Sequence, residues 1–213
     1  MTAPLASLQI LAAWFSPGYP VGAYSYSHGL EWAVEAGDVT DPATLGAWIR
    51  DVLAYGAGRS DAILLARALD AGDPGPLAEL AEALAPSAER HLETMAQGAA
   101  FARTTAAVHG MAVPAMAYPV AVGHAARLLG LPAEATVTLF VQAFAANLVS
   151  AGVRLVPVGQ TDGQRLLAEL QPLAARVAAE ARAAPLDAVG GLAQRGDLAA
   201  MRHETQYSRL YRS

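Results

Sequence analysis

Glu134-Ala135-Thr136-Val137-Thr138-Leu139-Phe140-Val141-Gln142-Ala143-Phe144-Ala145-Ala146-Asn147-Leu148-Val149-Ser150-Ala151-Gly152-Val153-Arg154 decides how this chain folds. Nineteen uncharged residues separate Glu134 from Arg154, close to the length of a membrane span. Thr136, Thr138, Gln142, Asn147 and Ser150 interrupt the run, however, and alanine supplies much of the remainder. That composition fits a helix buried on nearly all sides by other protein segments. The rest of the chain then has to wrap around it.

The flanking segments are punctuated as helices. Thr40-Asp41-Pro42 sets a cap donor and an N1 proline before Leu45, Trp48, Ile49, Val52 and Leu53, which are spaced for one helix face. Ser60-Asp61 opens a segment closed by Gly72, and Asp73-Pro74 starts a short helix stopped by Pro86. Ser87 heads a longer helix whose Leu92, Met95, Ala99 and Ala102 are expected to face inward. Tyr118-Pro119 begins a helix ending at Gly130. Thr161-Asp162-Gly163-Gln164 has capping-box spacing ahead of Leu166, Leu170, Leu173 and Val177, with Pro172 expected to kink or break that helix. No stretch alternates with period two between turn residues. The expectation is an all-α, single-domain helical bundle over residues 1–213, with residues 197–213 forming a mobile C-terminal tail hinged near Gly190-Gly191 and Gly196.

Composition narrows the function. The 213 residues are 54% hydrophobic and 15% charged, and all fourteen basic residues are arginine. A net charge of −5 and a pI near 5.5 argue against nucleic acid and anionic membrane as partners, since both select a basic face. Without cysteine there is no thiolate nucleophile and no zinc-thiolate site. Met1-Thr2-Ala3-Pro4-Leu5 lacks the basic start of a secretory signal, which makes the cytoplasm the expected location.

Catalytic signatures are missing. His28, His91, His109, His124 and His203 include no pair four residues apart, and Tyr207 stands where a zinc-protease pattern begun by His203-Glu204 needs its second histidine. No G-x-S-x-G elbow or Walker A sequence occurs. Gly18, Gly22 and Gly29 resemble a phosphate loop only in spacing, because no basic residue precedes Arg50. Their expected role is to shape an aromatic-rich turn, with Ser25 or Ser27 capping the short helix that follows and Gly37 ending it. The tail, by contrast, concentrates arginine and tyrosine, the residue types that anchor protein interfaces.

Three blocks resemble the UreF family of urease accessory proteins. The first runs from Phe15-Ser16-Pro17 through Pro20-Val21-Gly22-Ala23-Tyr24-Ser25-Tyr26-Ser27-His28-Gly29-Leu30-Glu31. The second runs from Asn147-Leu148-Val149-Ser150 through Val153-Arg154-Leu155-Val156-Pro157-Val158-Gly159-Gln160-Thr161-Asp162-Gly163-Gln164. The third runs from Met201-Arg202-His203-Glu204 through Tyr207-Ser208-Arg209-Leu210-Tyr211-Arg212-Ser213. Residues between Gly72 and Gly130 carry little of the likeness.

The resemblance implies an all-helical, non-enzymatic protein without a cofactor or metal of its own. It would tend to dimerise, bind a UreD-type (UreH) accessory protein and the GTPase UreG, and assist nickel delivery to apo-urease. By the same resemblance His28 and Glu31, with Arg202, His203, Glu204, Tyr207, Arg209, Leu210 and Arg212, are candidates to face the UreD-type partner. Arg154, Gln160, Asp162 and Gln164 are candidates for the dimer or GTPase surface. The spacing of Tyr207, Leu210 and Tyr211 would align them on one stripe if the tail became helical on binding. Two rival classes are a nickel metallochaperone binding metal through His28, His203 and Glu204, and a helical hydrolase, for which periodicity assembles no inward polar cluster.

Overall fold

The computed structural model describes residues 4–213, and among them ten α-helices and two short 3-10 turns but no strand are formed. The order is α1 (Leu5–Trp14), α2 (Leu30–Glu35), α3 (Pro42–Tyr55), α4 (Ala57–Asp70), α5 (Gly75–Ala83), α6 (Ala88–His109), α7 (Tyr118–Leu128), α8 (Ala133–Leu155), α9 (Gln160–Ala183) and α10 (Gln194–His203). The all-α expectation holds. Of the opening residues read for a secretory signal, the first three lie outside the described residues.

α8 is the long apolar helix, and by length and composition it could cross a membrane. Here it is packed against α9, α4, α3 and α7. Val137, Phe140, Val141, Ala145, Leu148 and Val149 are buried. Two of its polar residues find partners: the Thr136 hydroxyl donates to the Pro132 carbonyl at 2.8 Å, and the Asn147 amide donates to Tyr26 O of the first block at 3.4 Å. α4 is the second central helix, apolar from Ala62 through Ala66, and it packs on α7, α9, α3 and α8.

Helix starts follow the capping chemistry with two exceptions. Asp41 and Thr44 form a reciprocal capping box on α3, and Ser87 Oγ accepts from Arg90 N at the head of α6. α4 instead begins at Ala57, which places Ser60 and Asp61 inside it. α9 begins at Gln160, so Thr161 lies within the first turn and makes no cap; Asp162 pairs with Arg165 at 2.5 Å. Pro172 leaves α9 continuous from Gln160 to Ala183.

α6 matches the apolar spacing only in part: Ala102 is buried and Met95 packs against the core as expected. Leu92 is exposed, while Arg90, Glu93, Gln97, Gly98, Phe101 and Thr105 are buried. A charged stripe can face inward only where partners satisfy it, and such partners come from both ends of the chain. Below that stripe α6 lies so close to the segment preceding α7 that a Cβ on Gly98 would sit 1.7 Å from the Met116 carbonyl oxygen. Replacing Gly98 by alanine is therefore expected to cost about 2–3 kcal/mol in chemical denaturation. Gly72→Ala, where a Cβ meets nothing, should stay within about 0.5 kcal/mol of the parent. Equal effects would contradict the packing described.

Candidate partner-docking site

The first block enters the domain through a turn whose backbone is held in the left-handed region at Gly22, His28 and Gly29, with φ of 75°, 55° and 75°. A non-glycine residue there is uncommon and strained. The conformation buries Ser27 and His28 and starts α2, so that Glu31 also points inward. The N-cap of α2 is Gly29 rather than Ser25 or Ser27, although Ser27 Oγ accepts from Glu31 N at 3.3 Å.

The tail expected to be mobile lies on this block. After α10 the chain is irregular, and Tyr207, Leu210 and Tyr211 share no helical stripe: Tyr211 is buried while Tyr207 and Leu210 stand in solvent. Glu31 holds the segment. Its Oε1 accepts from Leu210 N at 2.7 Å, and its Oε2 accepts from Tyr211 N at 2.9 Å and faces His203 Nε2 at 3.1 Å. The other nitrogen of the fully buried His203 meets Glu89 Oε2 at 2.6 Å, and Arg209 donates to Glu89 Oε1 at 2.7 Å. Farther along, Arg212 N donates to Ser25 O, and Ser27 donates from both N and Oγ to Ser213 O. The supposed glycine hinge is tied down too. A Cβ on Gly191 would lie 2.0 Å from Tyr55 O, Arg59 donates to Ala188 O and Gly190 O, and Gly196 lies inside α10.

Beneath the tail, Glu93 is the hub of a second network. One of its oxygens faces His28 Nε2 at 3.1 Å and accepts from Gln97 at 2.9 Å; the other pairs with Arg90 and accepts from Ser213 Oγ at 2.7 Å. Asp61 lies 3.6 Å from Arg90 on its other side. Burial alone would push the Glu93 carboxyl up, but Arg90 and then His28 reverse this and hold it below the usual carboxylate range. Burial, aided by Arg90, lowers His28, which is therefore neutral near pH 7. At Asp61 burial prevails over Arg90 and pushes the carboxyl up to about 6.

The structure thus divides the expected site residues. His28, Glu31 and His203 are buried and committed to internal bonds, so in this conformation they lie under the surface rather than on it. Arg202, Glu204, Tyr207, Arg209, Leu210 and Arg212 are exposed. Glu204 also caps α6, accepting from Ala88 N at 2.8 Å. Arg154 bridges all three blocks: it donates to Ser150 O and Tyr24 O, and its guanidinium lies 5.0 Å from the centre of the Tyr211 ring. Gln160 and Gln164 are exposed and Asp162 is half-buried, together on the first turn of α9. Sequence reasoning missed Glu89, Arg90, Glu93 and Asp61. Their partners come from α4, the first block and the returning tail, contacts that the local sequence does not display. Among the described residues no three histidine, aspartate or glutamate side chains converge as a metal-holding group.

These features define an all-helical protein whose buried polar chemistry joins chain segments, leaving an exposed rim of arginine, tyrosine and leucine. The UreF family model matches residues 39–171. The urease accessory protein UreF of Cereibacter sphaeroides strain KD131 is 59% identical over 208 residues, covering 98% of this chain and 99% of that protein. Proteins of the same description from Methylobacterium sp. strain 4-46 and Rhodopseudomonas palustris strain HaA2 are 54% and 52% identical, each covering at least 96% of this chain. The chain belongs to the UreF family of urease accessory proteins.

The perturbed Asp61 supplies a test of the buried network. A carboxyl whose value is higher folded than unfolded favours folding while protonated. Its contribution is complete below the unfolded value near 3.8 and is lost as pH rises through about 6. Measured against the parent, Asp61→Asn should therefore gain about 2 kcal/mol of unfolding free energy between pH 4 and pH 7.5. A difference that is constant, or moves the other way, would show that Arg90 rather than burial controls this group.

Proposed function

We propose that this chain is a non-enzymatic scaffold of urease maturation. It bridges a UreD-type accessory protein and the GTPase UreG and regulates that GTPase during nickel insertion into apo-urease. The observation that supports this reading is the docked tail in a member of the UreF family. Glu31, Glu89 and Glu93 take up the tail's inward polar groups, and Tyr207, Leu210, Arg202 and Arg212 are left outward. Aromatic, leucine and arginine side chains on a preformed backbone make an economical anchor, because the segment is already ordered when the partner arrives.

In this reading the outward rim of the tail meets the UreD-type protein. His28, Glu31 and His203 are positioning residues that hold the rim in place. The first turn of α9, with Gln160, Asp162 and Gln164, and the adjoining Arg154 are assigned to a second copy of the chain or to the GTPase. The assembly works in the cytoplasm, and nucleotide state times nickel release. Removing the tail altogether is a poor test of docking, since Glu31 and Glu93 would lose buried hydrogen-bond partners and the domain itself would suffer.

Surface truncations discriminate better. Tyr207→Ala and Leu210→Ala should each weaken binding to the UreD-type partner tenfold or more while the melting temperature of the isolated chain stays within about 2 °C. Calorimetry and light scattering on a sizing column read both quantities. Unchanged affinity in the double variant would remove the tail from the interface and make the exposed Tyr24 of the first block the leading contact.

A further inference from the structure

A cleft of about 210 Å³ opens between α1, the turn of the first block, α6 and α8. Six aromatic rings line it: Trp14, Phe15, Tyr19, Tyr118, Phe140 and Phe144. They brace one another, with Phe15 and Tyr118 each within 6.0 Å of Phe140 between ring centres. The space is therefore preformed, and cavities of about 150 Å³ already accept a benzene-sized group. An aromatic wall also selects by charge, because the ring quadrupole attracts a cation more than a neutral group of the same shape.

The polar end of the cleft carries surplus negative charge. Asp61, Arg90 and Glu93 line it, and Arg90 is the one cation among the described residues there. Its NH1 is paired with Glu93, and Asp197 on α10 also faces the guanidinium. Asp61 receives from Arg90 only a contact of 3.6 Å, NH2 to Oδ2, longer than a hydrogen bond. His28 faces Glu93 but adds no charge near pH 7, since burial favours its neutral ring. Three carboxylates thus share one guanidinium. Of the two that line the cleft, Asp61 is the reachable one, with 18% of its side-chain surface exposed against 3% for Glu93. Burial without full neutralisation is also what pushes its carboxyl up to about 6.

Aromatic walls and surplus negative charge select the same kind of ligand, a cation on an apolar stem. A guanidinium is matched to both oxygens of a carboxylate, and Oδ2 of Asp61 is turned toward Arg90. An ammonium is a compact point charge with rotatable donors and needs only the oxygen that is left. We propose that this cleft binds an alkylammonium group, its stem among the aromatic rings and its head at Asp61 Oδ1. Such a group is the side chain of a partner's lysine or a free primary alkylamine. A second copy of the chain cannot supply that side chain, because the sequence contains no lysine.

The test is calorimetric titration of the full chain at fixed ionic strength with n-butylammonium and with n-butanol, which has a stem of the same length but no charge. The expected result at pH 7.5 is saturable one-to-one binding of n-butylammonium at least tenfold tighter than n-butanol. Asp61→Asn, which keeps the shape of the side chain, should bring n-butylammonium down to the n-butanol level. In the parent, lowering the pH from 7.5 to 5 should weaken n-butylammonium about tenfold as Asp61 takes up a proton, with no such change in Asp61→Asn. Ala143→Phe, placed on the cleft wall, should abolish binding of both. Asp61 also lines a second crevice, with Leu64, Pro119 and Val189. Binding that survives in a folded Ala143→Phe would place the ammonium in that crevice and overturn the proposal. Repeating the titration on the complex with the UreD-type partner separates the sources: loss of n-butylammonium binding assigns the site to a partner's lysine, and unchanged binding assigns it to a free alkylamine. No saturable binding, equal affinity for n-butanol, or a preference that survives in a folded Asp61→Asn would also overturn it.

Discussion

The carboxylate of Glu31 is the point on which the rest of this structure depends. It lies in the interior on a six-residue helix, accepts from two consecutive backbone amides of the tail and faces the His203 ring. A buried carboxylate without partners would cost several kcal/mol, and these donors come from residues about 180 positions away. Neither end of the chain is therefore complete alone. The turn of the first block needs the tail to satisfy Glu31 and Ser27, and the tail needs α2 and α6 to fix an irregular backbone.

This dependence explains the inward charged face of α6. Glu89 sits between His203 and Arg209, and Glu93 sits among His28, Arg90, Gln97 and Ser213. Arranged this way, ionic groups act as register marks more than as sources of stability, because desolvation offsets much of their attraction. They specify where the last ten residues lie. The outward side of that segment is then a rigid rim rather than a strand that must be ordered by its partner.

Much of the fold could be read in the sequence because it follows local chemistry. The apolar α8, the Asp41 capping box and the proline starts of α3 and α7 all depend on neighbours a few residues away. The misreadings share the opposite cause. Leu92 has the spacing of an inward residue, yet it is exposed and Glu93 is buried beneath the returning tail. The stripe of Tyr207, Leu210 and Tyr211 belongs to a partner-bound helical tail; in the free chain Glu31 accepts from two of their backbone amides and the segment is irregular. The tail's glycines suggested a hinge, whereas close approach to Tyr55 explains Gly191. The blocks that marked the family meet in space around Glu31 and Arg154. That His28, Glu31 and His203 work beneath the surface depends on contacts between segments that no single stretch of sequence displays.

The central claim is that the tail is folded onto the domain before any partner binds. Amide hydrogen exchange at Leu210 and Tyr211 in the isolated full-length chain tests it most directly. Both amides should exchange at least a hundredfold more slowly than in an unstructured peptide, and Glu31→Gln should accelerate both together. Exchange at the unstructured rate in the parent chain would mean that the tail is free in solution and that the partner, not Glu31, orders it.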